Sequence, residues 1–237
     1  MFGKYFRTQS ECIYSFIEDK EIVTHSIHDT RIAIKRVMAL LQLISYCDTD
    51  FKEKSAGRPY RNLFRKLGTV REFEVAQKWF SRLRIPSSGW KIRHIELQGT
   101  SASAQLKCTL TKSRYRTIKK QEKKISHALD TLKSKHLKKY VTQLEQEITE
   151  RLFSTNLSPS TFHDLRKLIK VFMYNQQALP QKLKSELNVF DAFDQLQSLI
   201  GDWHDLEQII EEWSVYAIAA NDTNSHSAYK HILKKQQ

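Results

Sequence analysis

The chain has 237 residues and carries 39 Lys and Arg against 26 Asp and Glu, a formal net charge of +13. Its 40% hydrophobic content is enough for a core and too much for a disordered chain, while 6 Gly and 4 Pro leave few breakers, so long helices are expected rather than many short strands. No apolar run reaches the roughly 18–20 residues of a membrane helix, the start Met1–Arg7 is not followed by an apolar signal core, and the scattered Cys12, Cys47 and Cys108 form no CxxC pair. A reduced cytoplasmic protein without a zinc knuckle or disulfide frame is expected.

In chain order, a helix is expected over 3–23. A second follows Ser26-Ile27-His28-Asp29, which reads as a capping box, and its buried stripe is Ile27, Thr30, Ile34, Val37, Leu41 and Ile44. A loop over 48–57 leads to helices over 58–67 and 69–84, divided at Gly68. Residues 85–102, containing IPSSGW and GTSAS, read as a linker or mobile loop; within it RHIEL at 93–97 is the one weak strand candidate. Helices are expected next over 103–127 and 135–154. Thr161-Phe162-His163-Asp164, with Pro159 just upstream, is a second capping box, opening a helix whose stripe is Phe162, Leu165, Ile169 and Phe172. Helices over 182–199 and 203–220 and a loop over 221–227 complete an all-α reading.

The chain repeats itself. HDTRIAIKRVMALLQ from His28 and HDLRKLIKVFMYNQQ from His163 share seven of fifteen positions at an offset of 135, and LGTVREFEV from Leu67 matches IGDWHDLEQ from Ile200 at an offset of 133. Two homologous halves are expected, 1–100 and 101–237, as similar bundles about a pseudo-twofold axis. Residues 1–100 hold 18 basic and 11 acidic side chains and residues 101–237 hold 21 and 15, so the charge excess belongs to both halves. Such a surface is either simply solvated or meets a polyanion.

The repeated helices carry the chemistry. His28, Arg31 and Lys35 stand at i, i+3 and i+7, and His163, Arg166, Lys170 and Tyr174 extend the same series to i+11. Each set shares one helix face, about 100° from the apolar stripe, where a bundle can turn it toward a common groove. Both histidines are expected in a first turn, at free N–H groups and positive dipole potential, so that His, Arg and Lys form a ladder for phosphate oxygens. In one copy this is better explained by a capping histidine and a wet face. The same pattern twice, in the same phase against the core, favours use.

Further cations gather nearby. Residues 54–71 contain Lys54, Arg58, Arg61, Arg65, Lys66 and Arg71 and no acid; residues 107–139 contain twelve Lys and Arg, with Lys112, Arg116, Lys119 and Lys123 in one row. Like charges in a row repel, and a bound polyanion relieves them; for Lys133 to Lys139 solvation is the better account. Glu72 and Asp205 take equivalent places after Gly68 and Gly201, glycines that permit a sharp bend or a close helix crossing. These acids are structural, or orient neighbouring cations.

HDTRIAIKR from His28, KLGTVRE from Lys66, HDLRKLIKVFMY from His163 and LQSLIGDWHD from Leu196 together resemble the CHAD family, the conserved-histidine α-helical domain, in the family's order and over nearly the whole chain. The sequence departs from the pattern at Glu72, where Asp is usual, at His204, where Asn is common, and at Val171, the counterpart of Arg36. The resemblance implies two four-helix-type bundles around a basic central groove or pore, binding of inorganic polyphosphate and no catalysis. It assigns the ligand surface to His28, Arg31, Lys35, Arg36, His163, Arg166, Lys167 and Lys170. It leaves no length for the triphosphatase domain to which family members can be fused, and implies no cofactor and no membrane partner.

Polyphosphate is therefore the expected partner, through these residues and Arg61, Arg65, Lys66, Arg71, Lys112, Arg116, Lys119, Lys123 and Tyr174, in the cytoplasm and in association with polyphosphate granules. Single-stranded nucleic acid is the alternative and the natural competitor; the basic rows lack regular aromatic interleaving, although Tyr60, Tyr115 and Tyr174 lie close. A metal-dependent phosphohydrolase built on His28-Asp29 or His163-Asp164 is less favoured, because the aspartates are assigned to capping and the neighbouring cations repel a metal. A scaffold for an acidic protein is a further reading.

Overall fold

The computed structural model describes residues 2–19, 24–82, 90–154, 158–181 and 190–220. Eight helices account for them: α1 (Phe2–Glu18), α2 (Thr24–Cys47), α3 (Glu53–Arg82), α4 (Trp90–Thr109), α5 (Lys112–Asp130), α6 (Ser134–Leu152), α7 (Pro159–Ala178) and α8 (Phe190–Ala220). The described residues contain no strand, so the chain is all-α.

The apolar stripes end up where their spacing put them. Ile34, Val37, Leu41 and Ile44 of α2 and Ile169 of α7 are fully buried, in a core cluster that takes residues from α1 through α8. Thr30, the polar member of the α2 stripe, is buried too, its hydroxyl donating to the Ser26 carbonyl at 2.6 Å. That bond satisfies a group that would otherwise lose its water unrewarded.

Several sequence expectations need correction. Neither proposed capping box caps. α2 starts at Thr24, so Ser26 and Asp29 already lie inside the helix. α7 is capped by Ser158, whose hydroxyl accepts from Thr161 N at 3.3 Å, with Pro159 in its first turn. A hydroxyl one turn upstream won in α7 because proline at the first position presets the helical φ without giving up a needed donor. His28 and His163 are thus each the fifth residue of their helix, past the four free N–H groups. Asp29 and Asp164 are exposed.

Gly68 and Gly201 break nothing: α3 and α8 run straight through them, where the sequence suggested two helix pairs. α3 also begins a turn earlier than expected, at Glu53, with Pro59 inside it. The helix expected over 103–127 is two, α4 and α5, separated at Leu110 and Thr111; Thr111 caps α5 by accepting from Arg114 N at 3.3 Å. RHIEL is helical, within α4, as is Gly99, where an added Cβ would meet Phe73 at 3.2 Å. The lack of a side chain there lets α4 lie close on α3, and this contact outweighs the loop propensity of GTSAS. Residues 83–89, 182–189 and 221–227 fall outside the described residues. The 1–100 and 101–237 division cuts α4 at Thr100.

The packing order positions the site. α1 lies on α2 and α6 lies on α7; α3 packs on α2, α8 on α7, and α2 packs directly on α7. α3 and α8 also touch, with Arg82 Nη1 3.6 Å from Asp202 Oδ2. Helices α3, α2, α7 and α8 therefore form a closed circuit of contacts. α5 packs on α1 and α3. α2 and α7 begin 135 residues apart, at Thr24 and Pro159.

Candidate functional site

Two arginines do the same thing in the two repeated helices. Arg31 Nη1 crosses from α2 to α3 and donates to the Phe64 carbonyl at 3.0 Å; Arg166 Nε crosses from α7 to α8 and donates to the Gln197 carbonyl at 2.9 Å. Each accepting carbonyl sits one helical turn before a glycine. A Cβ on Gly68 would lie 3.0 Å from Arg31 Nη1, and one on Gly201 only 2.5 Å from Arg166 Nη2. The glycines make room for a guanidinium laid against a helix backbone, which is why the helices need no bend there. Arg31 also stacks over the Phe64 ring at 4.0 Å, an attraction of cation for ring face.

One turn further along stand Lys35 and Lys170, on the two helices α2 and α7 that pack together. Each lysine is half-buried. Burial, then Lys170, Arg31 and Arg166, pull Lys35 down to about 7. Burial and Arg166 pull Lys170 down to about 8, and Asp205 opposes the shift in both. Lys35 also lies 5.6 Å from the centre of the Phe64 ring. Lys35 thus feels the positive charge of Lys170 and Arg166 on α7, with Asp205 of α8 opposing.

The histidines stand at the outer end of the rows. His28 is exposed; partial shielding from water and the neighbouring Arg71 hold its imidazole below the usual range. Arg71 is itself paired with Glu74 at 2.9 Å. His163 is half-buried against His204, ring centres 4.5 Å apart and planes inclined by 42°. Burial, Lys167 and His204 lower its imidazole as well.

The other candidates are dispersed. Arg36, next to Lys35 in sequence, points about 100° away; it donates to Gln9 Oε1 at 3.3 Å and lies 5.8 Å from the Tyr174 ring centre. Tyr174 is half-buried, its carbonyl accepts from the Tyr5 hydroxyl at 3.2 Å, and burial raises its own hydroxyl. Lys167 is exposed and held by Asp164 at 3.0 Å, which lowers the carboxyl. Arg61 is used within α3, by Glu53 at 2.8 Å and by the Lys54 carbonyl. Arg65 bonds Asn62, and Lys66 is exposed. Lys112, Arg116, Lys119 and Lys123 form an exposed row on α5; Lys119 reaches Glu122 at 3.4 Å and covers the Tyr14 ring at 4.6 Å.

Sequence reasoning missed Phe64, the Gln197 carbonyl and His204. The second repeat block held the signal for the last, since it aligns His204 with Arg71. Among the described residues no three His, Cys, Asp or Glu side chains gather as a metal-binding group, and no helix is long and apolar enough to cross a membrane.

Solved structures with this fold include PptA from Streptomyces chartreusis, 14% identical, with a TM-score of 0.69 over 99% of this chain and 92% of that one. The CHAD domain from the plant Ricinus communis is 15% identical, with a TM-score of 0.73 over 100% of this chain and 84% of that one. No curated protein matches the chain. The CHAD domain model matches residues 16–212. This chain therefore belongs to the CHAD family.

Proposed function

We propose that this protein binds inorganic polyphosphate, without catalysis, in a basic groove between two homologous halves arranged about a pseudo-twofold axis. Arg31, Lys35, Arg166 and Lys170 are the principal contacts, with His28 and His163 at the outer end. The observation that carries the reading is that α2 and α7 pack on each other with Lys35 in the positive field of Lys170, Arg31 and Arg166. Two half-buried ammonium groups beside two guanidinium groups raise the free energy of the unliganded fold, and a polyanion laid between them would recover it.

The rings near the basic rows favour polyphosphate over a single-stranded nucleic acid. Tyr60 is fully buried, so it presents no face to a base, and Tyr115 is half-buried against Tyr14, ring centres 4.9 Å apart. In the cell the reading puts the protein in the cytoplasm, at polyphosphate granules.

The test is a titration with long-chain polyphosphate, in competition with single-stranded RNA of equal charge. Polyphosphate should bind more tightly, and replacement of Arg31, Lys35, Arg166 and Lys170 by Ala should abolish binding while far-UV circular dichroism stays helical. Survival of binding in that variant, or tighter binding of RNA, overturns the assignment.

A further inference from the structure

The two halves treat their histidines differently. The 133-residue offset aligns Arg71 with His204, and the 135-residue offset aligns His28 with His163. In the first half the histidine therefore faces a permanent cation, in the second another imidazole. His163 and His204 are close, 4.5 Å between ring centres, and His163 Nδ1 is buried with no hydrogen-bond partner among the described residues.

We propose that His163 and His204 form a proton-operated phosphate subsite, which supplies by protonation the positive charge that Arg71 supplies permanently beside His28. The inference rests on the polyphosphate reading and adds to it a residue and a regulation. The surroundings explain why the pair needs an anion. From α7, Arg166 and Lys167 face His163 with positive charge, and Asp164 opposes them while itself held by Lys167. From α8 comes His204; α2 brings Lys35 toward Arg166, and α6 sends Arg151 toward Asp164. Charging His163 in that field without an anion is unfavourable. A phosphate oxygen at the solvent-facing edges of the two half-buried rings accepts an N–H from each once each has taken a proton from solvent. Because imidazole changes charge near neutrality, acidification adds charge at two rings in the second half, whereas the first half has one ring, His28, beside a guanidinium whose charge is fixed.

The full chain is titrated with long-chain inorganic polyphosphate between about pH 5.5 and 8, as wild type, His204→Arg and His204→Gln. Lys35 and Lys170 give all three a common background slope. Beyond it, the wild type should gain about tenfold in affinity on acidification, the worth of a charge-assisted contact. His204→Arg should hold that affinity already at pH 8 and lose the extra slope; His204→Gln should stay at the weaker level throughout. Superimposable wild-type and His204→Arg profiles overturn the subsite. If binding depends on Arg31, Lys35, Arg166 and Lys170 but not on His204, this inference alone fails. Absence of any wild-type binding at pH 5.5 removes both.

Discussion

Gly201→Ala tests whether the glycines serve the arginines. The new Cβ would lie 2.5 Å from Arg166 Nη2, 2.9 Å from Nε and 3.0 Å from Cζ. Ordinary carbon contacts are about 3.5–4.0 Å, so the guanidinium must retreat by about 1 Å. That breaks the 2.9 Å bond to the Gln197 carbonyl. A hydrogen bond to a charged group contributes about 1.5–3 kcal/mol, the lower end applying to a half-buried one. Ala in place of Gly in a helix interior returns about 1 kcal/mol. The net expectation is a destabilisation of up to about 1 kcal/mol, with a several-fold loss of polyphosphate affinity because Arg166 no longer points along its row. Gly68→Ala should be milder, since only Arg31 Nη1 is met, at 3.0 Å; there the helical gain should offset the shift. Urea unfolding and polyphosphate titration of both variants read the difference. A Gly201→Ala protein that is more stable by the whole helical increment, with unchanged affinity, would refute the arginine-seat argument.

Arginine and lysine of one row should separate under mutation. Arg166→Ala loses a helix–helix bond as well as a ligand contact, so the urea midpoint and the affinity should both fall, whereas Lys170→Ala should lower affinity without lowering the midpoint; equal loss of stability in both would contradict this. Unfolded lysine titrates near 10.5, but Lys35 and Lys170 titrate at about 7 and about 8 in the fold. Between those values the unfolded chain holds more protons, so stability should rise from about pH 7 toward pH 10, and Lys35→Met should flatten that slope and be the more stable protein below it. Urea midpoints across that range decide, a falling wild-type midpoint being the adverse result. Arg61→Ala should leave polyphosphate affinity within about twofold, because its guanidinium is occupied by Glu53 and the Lys54 carbonyl, at a loss of about 0.5–1 kcal/mol; a large drop in affinity would return Arg61 to the site.

What could be read in advance was whatever depends on period. The α2 and α7 stripes follow from steps of three and four, and Ile34 and Ile169 are buried as that spacing requires. Helix starts were not legible: Ser158 and Thr161 are both plausible caps within one turn, and Pro159 favours the first. Glycines misled for a related reason. At 68 and 201 the residue type announces an exception, but whether to chain direction or to side-chain space depends on an arginine 37 positions earlier at Arg31 and 35 at Arg166. Of the site, the duplicated His-Arg-Lys face was visible, because its members share a phase. Which of the many other cations join it was not. Lys35 and Arg36 are neighbours in sequence, yet one lies by the Phe64 ring of α3 and the other bonds Gln9 of α1.

The geometry explains why the rows alternate between two kinds of cation. A guanidinium offers five donors in a rigid fork, so Arg31 and Arg166 can spend one on a backbone carbonyl and still face outward with the rest. Each ties the ligand row to the neighbouring helix of its own half. Lys35 and Lys170 have no such fork; they are compact charges whose protonation responds to what lies nearby. On the proposed reading, fixed guanidinium groups would set where a polyanion lies, and the lysines would adjust their charge to its presence. Exchanging the two types within a row would keep the formal charge of +13 and still lose the arrangement, because a lysine ammonium at 31 or 166 could not hold the carbonyl and the ligand together.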